Sequence, residues 1–358
     1  MFYLVEETMG TANFFKTLMA TAHDLLINTV FFIMAVAVLT GSFSSLLFEF
    51  GVADLIDFLL KPLIKPLYNL PGVSVMGIIS TYFSDNPAII ALAKDKRFMN
   101  NFEKWQEPLL CNLGTSFGMG LIVSTFMIAQ GNRMSVNLVP AVIIGNIGAF
   151  LGSIISVRMF SYFTKKKLGN VKKTERLYPQ EYYRETRPGS FMERFLEALL
   201  DGGKSGVEIG LGIIPGVLVI STFVMMITFG PNDPSKGYQG LAYEGIPVLP
   251  YLGKKIFVFI KALFGFNSPE LIAFPLTSLG STGAALALIP KFIDLKIINP
   301  NDIAVFTAMG MTWSGYLSTH VAMMDELGYR YLTGKAILAH TFGGLLSGVI
   351  AHFIFLLI

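Results

Sequence analysis

The chain has 358 residues, 53% of them apolar and only 14% charged, with a net charge of +3. Soluble domains carry about 25% charged residues, so a mean hydropathy of +0.59 marks a membrane protein and excludes an ordinary soluble enzyme or nucleic-acid binder. A lone Cys111 forbids an internal disulfide, and four histidines without a cysteine partner argue against a structural zinc site; a metal would need oxygen ligands, and neither metal nor cofactor is assigned.

In chain order, Glu6, Glu7 and Asp24 precede the first long apolar stretch, so that stretch reads as a retained span and not a cleaved leader. Six uncharged stretches reach the roughly 20 residues that a helix needs to cross the hydrocarbon layer. They cover 25–48, 108–132, 134–157, 209–232, 303–324 and 336–358. Two more tracts are interrupted, 66–84 by Pro66, Pro71 and Gly72, and 271–290 by Pro275, Gly280 and Gly283. Broken tracts of this kind suit re-entrant hairpins.

Residues 164–190 hold eight Lys/Arg against three Glu, which makes this loop cytoplasmic by the positive-inside rule. It reads as a solvated connector with no nucleic-acid platform. The basic segment 94–104 returns to the same side through the antiparallel pair 108–132 and 134–157.

An internal repeat organises the chain. "NFFKTLMATAHDLLINTVFFIMAVAVLT" (13–40) lies over "RFLEALLDGGKSGVEIGLGIIPGVLVIS" (194–221), each an amphipathic opening followed by an apolar span. Past an extra segment at 231–245, "TYFSDNPAIIALAKD" (81–95) lies over "TSLGSTGAALALIPK" (277–291), and "GNIGAFLGSII" (145–155) over "HTFGGLLSGVI" (340–350). The chain divides into a first repeat at 13–163, a basic linker at 164–193 and a second repeat at 194–358. The expected fold is all-α and polytopic, each repeat with an amphipathic entry helix, three transmembrane helices and a re-entrant hairpin. Three crossings per copy is an odd number, so the copies are inverted, with both termini outside and the hairpins entering from opposite faces.

The hairpin tips carry the polar residues. In "SDNP", Ser84, Asp85 or Asn86 can cap a helix whose first residue is Pro87, and in "GSTG" Ser281 or Thr282 has the same part. Each tip would leave backbone N–H groups and a positive helix end facing a solute. Asn112, Thr115 and Ser116 follow the first tip, and Thr312 and Ser314 the second. All five are expected to face the solute or to hold helices together. A charge in an apolar tract lines a cavity or finds a partner. Asp85 therefore reads as a site for a coupling cation or proton, or as an acceptor for solute. Glu270, behind Asn267, either starts a helix or contacts solute. His320 and His340 relay protons or pack with hydrogen bonds. "GTSFG" (114–118) matches a nucleophile elbow only formally, because it lies in an apolar span and not on a strand-turn-helix, so no enzyme is expected.

"GVEIGLGIIPGVLVI", "NSPELIAFPLTSLGSTGAALA" and "TYFSDNPAIIALA" resemble the nucleoside-recognition or Gate-domain family. That family is similar to the core of concentrative nucleoside transporters and includes the gate of ferrous iron transporters and spore maturation proteins A and B. The resemblance implies a solute-conducting membrane core lined by the tips at 84–87 and 280–283. The function expected is a bacterial inner-membrane secondary transporter of a small polar solute, an anion by preference, nucleoside-like or carboxylate, coupled to a cation or proton. Glycine-rich final helices favour a homo-oligomer. The rival is a Gate-domain membrane protein that serves assembly or regulation without transport.

Overall fold

The computed structural model describes residues 7–169 and 187–358, and these fold into helices and turns without a strand. Most of the basic loop at 164–190 falls outside the described residues.

Helix α1 runs unbroken from Thr11 to Glu49, and α8 from Phe191 to Met226. The amphipathic openings and the first spans are therefore single rods, and the second span begins well before residue 209. The reason is local: the two parts of α1 join through a π turn at Leu25–Val30, and in α8 Pro215 is absorbed beside a matching π turn at Val217–Ser221. The rods cross where a Cβ on Gly41 would strike the Gly202 carbonyl, one on Gly206 the Ala37 carbonyl and one on Gly210 the Met34 side chain. As one number rises the other falls, so α1 and α8 are antiparallel. Only glycine allows backbones this close.

Helices α7 (Val139–Leu168) and α15 (Thr333–Leu356) repeat the arrangement. Gly148 meets Ser347 and Gly152 meets Gly343, again antiparallel. Corresponding helices of the two halves thus run in opposite directions, as inverted copies require.

Two features depart from the sequence reading. An amphipathic helix stands before each hairpin, α2 (Val52–Tyr68) and α9 (Val248–Phe264). Both end in a left-handed residue, Asn69 (φ 57°) and Gly265 (φ 73°). The Gln106 amide donates to the Asn69 carbonyl at 2.8 Å, and the Asn301 amide to the Phe264 carbonyl at 2.9 Å. Leu55, Phe58, Leu59, Tyr251, Ile256 and Phe259 stay exposed on these helices, which leaves each with an unpacked apolar face.

The second departure concerns the middle spans. The expected rod 108–132 is α5 (Leu109–Thr115) and α6 (Gly120–Ala129), with Met119 left-handed at φ 55°. The expected span 303–324 is α13 (Pro300–Thr312) and α14 (Tyr316–Glu326), with Gly315 left-handed at φ 62°. Among the described residues five helical stretches are long and apolar enough to cross a membrane, Leu109–Met134 counting as one through its break as the sequence expected, or six if α9 and the first arm of the second hairpin count as one bent span.

The first hairpin consists of α3 (Ser74–Phe83) and α4 (Pro87–Lys94). The second has α10 (Pro269–Ser278), α11 (Thr282–Leu286) and α12 (Ile289–Asp294). Residues Lys94, Trp105, Lys165, Glu326 and Tyr329 gather on one face, joined by Lys94–Glu326 at 3.0 Å, Lys165 over the Trp105 ring and Tyr329 to Glu107 at 2.6 Å. We call it the linker face. On the opposite, termini face, residues 231–245 fold back on the start of α1. Asn13 donates to the Tyr238 carbonyl at 3.0 Å, Tyr243 bonds Asp24, and Arg133 meets Asp294 at 2.8 Å. The first hairpin enters from the linker face and the second from the termini face.

Candidate functional site

Both hairpins end at the same helix break. Asn86, 2% exposed, donates from Nδ2 to the Ser314 carbonyl at 2.7 Å. The Thr282 hydroxyl, equally buried, donates to the Gly310 carbonyl at 2.8 Å. Four residues separate these carbonyls, about 6 Å of helix axis. The tips therefore stand roughly one turn apart on α13 and its break.

Tip one is seated by backbone. A Cβ on Gly118, in the break of the first half, would collide with the Asn86 amide, and one on Gly315 would meet both that amide and Thr319. Asn86 lies between two unwound segments, one from each half. The Asp85 carboxylate accepts from the Asn86 N–H at 2.7 Å. This tip therefore meets its positive helix end with its own acid. Asp85 and Ser84 are half-buried.

Tip two is closed by its own hydroxyls. Ser281 Oγ accepts from the Ala284 N–H at 3.2 Å, the N-cap that the sequence implied. A Cβ on Gly216 would come within 2.9 Å of that Oγ, and the Ser221 hydroxyl in the π turn of α8 donates to the Ala284 carbonyl at 2.9 Å. The tip is thereby held to α8 as well as to α13.

The remaining expected residues divide. Thr115, Ser116 and Thr312 turn their hydroxyls back to carbonyls four residues earlier, at 2.6, 2.7 and 2.8 Å, which satisfies them inside the helix. Ser314 contributes its carbonyl to Asn86. Asn112 donates to Ser156 at 3.0 Å and to the Ala336 carbonyl at 3.1 Å. Asn267 is exposed, and Glu270 accepts from the Ser268 hydroxyl in the first turn of α10. Glu270 lies 11 residues, about 16 Å of helix, before Ser281, which makes it a helix-start residue, and Asn267, three residues earlier still, stands outside the tip region.

A second polar group stands beside the break. His340 Nε2 donates to the Thr312 carbonyl at 2.6 Å, which leaves Nδ1 to accept from the Ser156 hydroxyl at 2.8 Å. His320 Nδ1 donates to the Tyr316 carbonyl at 2.6 Å, and its ring lies 4.6 Å from that of His340. The chain Asn112, Ser156, His340 joins three helices to a carbonyl freed by the break. Ser156 has no sequence signal of its own beyond the repeated small residues of α7.

Three buried atoms at this centre lack a partner: Asn86 Oδ1, Asn112 Oδ1 and His320 Nε2. With His320 donating from Nδ1, all three are acceptors. An unmet acceptor in a dry core costs about 1–3 kcal/mol, so a donor or a cation would be welcome there. No group of three His, Cys, Asp or Glu able to hold a metal occurs among the described residues.

Comparison with solved structures finds the same fold in CNTnw. CNTnw in an inward-facing substrate-bound state matches 90% of this chain and 74% of its own at TM-score 0.56 and 14% identity. A double variant of CNTnw in an outward-facing state matches 91% and 75% at TM-score 0.58 and 15% identity. A single variant in an intermediate state gives TM-score 0.54 over 89% and 74%, at 14% identity. The chain thus has the fold of a concentrative nucleoside transporter, the one branch of the sequence resemblance that the fold comparison supports. No protein-family model matches the sequence, and no curated protein matches it.

Proposed function

We propose that this protein is a secondary transporter of a small polar organic solute, bound between the hairpin tips and the broken helices. The observation that carries the reading is the meeting of two oppositely entering hairpins on one helix break, with unmet acceptors beside it. Broken helices at the midplane expose backbone to polar cargo, and such irregular backbone persists in lipid only where it is buried in protein or lines a cavity. The fold shared with CNTnw supports the same reading.

On charge, the tips favour a neutral, donor-bearing solute over an anion. The positive helix end at tip one is already met by Asp85, and the N–H groups at tip two by Ser281. What remains open is acceptors, which suit hydroxyl and N–H donors of a nucleoside-like molecule better than a carboxylate. Asn86 Oδ1, with Asp85 next to it, is the first choice for a coupling cation, and His320 Nε2 for a coupling proton. Ser84 completes the solute contacts, and Ser281 holds the second tip closed over the solute. In this reading the chain consists of repeats 13–163 and 194–358 in a bacterial inner membrane, with the 164–193 linker cytoplasmic and the protein assembled as a homo-oligomer.

The test is uptake into proteoliposomes across a panel of nucleosides, carboxylates and polyols, with and without cation or proton gradients. An Asp85→Ala, Ser281→Ala double variant should lose most of the flux seen with the parent. Equal flux in both removes the hairpin site, and no flux of any solute in the parent favours the assembly role.

A further inference from the structure

Each hairpin is tied at its exit to the half it does not belong to. Lys94, the last residue of α4, pairs with Glu326, the last residue of α14, at 3.0 Å on the linker face. Asp294, the last residue of α12, pairs with Arg133, in the last turn following α6, at 2.8 Å on the termini face. The arrangement is the same on both faces, with the signs exchanged. The exit of a hairpin always meets the far end of the other half's broken helix.

The physical chemistry of the pairs makes them releasable. In both, the cation sits at a helix C-terminus, where the backbone dipole welcomes it, and the acid sits at another C-terminus, where the dipole repels it. Glu326 and Asp294 therefore depend on their cations and gain solvation when released. All four side chains are substantially exposed, between 45% and 65%, so each pair is worth little and is weakened by salt. Their setting differs from that of the buried Glu49 carboxylate, which Arg194 holds at 2.7 Å between α1 and α8. That pair joins the two long rods, whereas the exposed pairs join the hairpins to the broken helices.

We propose that Lys94–Glu326 and Arg133–Asp294 are the two gate latches of the molecule, each holding one hairpin shut against one face. Both are closed in this structure, and release of one frees the corresponding tip to that face alone. Asp325 and Arg330, themselves 3.5 Å apart, surround the first latch. Lys291, Asp24 and Tyr243 surround the second. The purpose of the latches rests on the transport reading, but their test does not.

Cys111 is the single cysteine and is buried, so a Cys111→Ala background allows one reporter at a time. Ser84→Cys reports on tip one and Ser281→Cys on tip two, labelled by a membrane-impermeant maleimide in right-side-out and inside-out vesicles. Glu326→Lys should raise labelling of Ser84→Cys from the linker face by about 1.4- to 5-fold, the range set by an exposed ion pair. Labelling of Ser281→Cys should not change. Asp294→Arg should do the reverse from the termini face. Restoring attraction with Lys94→Glu plus Glu326→Lys, or Arg133→Asp plus Asp294→Arg, should return labelling to the parent rate, which separates a latch from a folding defect. Labelling unchanged by charge reversal, raised equally at both tips, or unrestored by the swaps overturns the proposal. Latch behaviour without flux of any solute leaves the latches standing and removes transport, while flux with invariant labelling does the opposite.

Discussion

The two hairpin tips have the same backbone plan and opposite chemistry. Tip one places a charge and an amide at the break, and one amide oxygen is left without a donor. Tip two places two hydroxyls there, and both are used, one on Ala284 and one on Gly310. The seats differ as well. Asn86 is wedged against glycines of both halves, whereas Thr282 stands off its glycine, 3.8 Å from where a Cβ on Gly310 would lie. In the proposed reading the first tip receives the cargo, and the second closes over it. A repeat that doubles a fold need not double its chemistry.

The largest expected effect tests the seats. Gly118→Ala drives a methyl group into the Asn86 amide and should cost about 1–3 kcal/mol of stability, as overpacking does. Its unfolding midpoint in detergent should fall and uptake should be lost. Gly310→Ala would place its Cβ 3.2 Å from the Phe274 ring and 3.8 Å from Thr282, a tight contact offset by about 1 kcal/mol of helix propensity. Its midpoint should hardly move, and equal losses at the two glycines would erase the difference between the seats.

Next come the side chains themselves. Asn86→Leu removes the bond to Ser314 and the unmet acceptor together. A loss of about 1–3 kcal/mol corresponds to about 5- to 150-fold in solute affinity, measured by scintillation proximity or calorimetry. Thr282→Val removes one satisfied bond, about 0.5–1.5 kcal/mol of stability, and should leave affinity within about threefold. If Thr282→Val weakens binding as much as Asn86→Leu does, the second tip binds and does not merely close.

The smallest effects concern the helix starts. Ser281→Ala should cost about 1 kcal/mol as a lost N-cap, visible in thermal unfolding. Asp85→Asn keeps an acceptor for the Asn86 N–H and removes the charge, so stability should hold while the cation concentration for half-maximal uptake rises. An unchanged cation dependence would move ion coupling away from tip one.

Much of this plan is legible in the sequence, and the reason is the repeat. "SDNP" over "GSTG" located both tips, and the odd number of crossings per copy predicted opposite running directions, which the glycine contacts of α1 with α8 display. The helix breaks were not legible. "SFGMG" and "TWSGY" look like apolar helix, and Met119 in a left-handed conformation has no propensity signal, since a bulky residue there is disfavoured. The common offset was the available clue, because it lays Met119 over Gly315. The same offset lays "IKPLYN" (64–69) over "IKALFG" (260–265), which would have revealed α2 and α9 as a matched pair. Thr115, Ser116 and Thr312 show the opposite limit: a hydroxyl bonded within its own helix and one facing a solute have the same sequence. Only packing tells them apart.

The bond from Asn86 to the Ser314 carbonyl spans 228 positions of chain. During synthesis the first half is therefore in the bilayer, with its hairpin formed, long before the residues that seat its tip exist. Domains fold as they emerge, but this half has a polar amide with nothing to meet until α13 and α14 arrive. A nascent chain stopped before residue 300 should be prone to degradation or chaperone capture, and coexpression of a fragment containing 187–358 should rescue it. The interlocked tips thus impose an order of assembly on the cell, in which the second half completes the first.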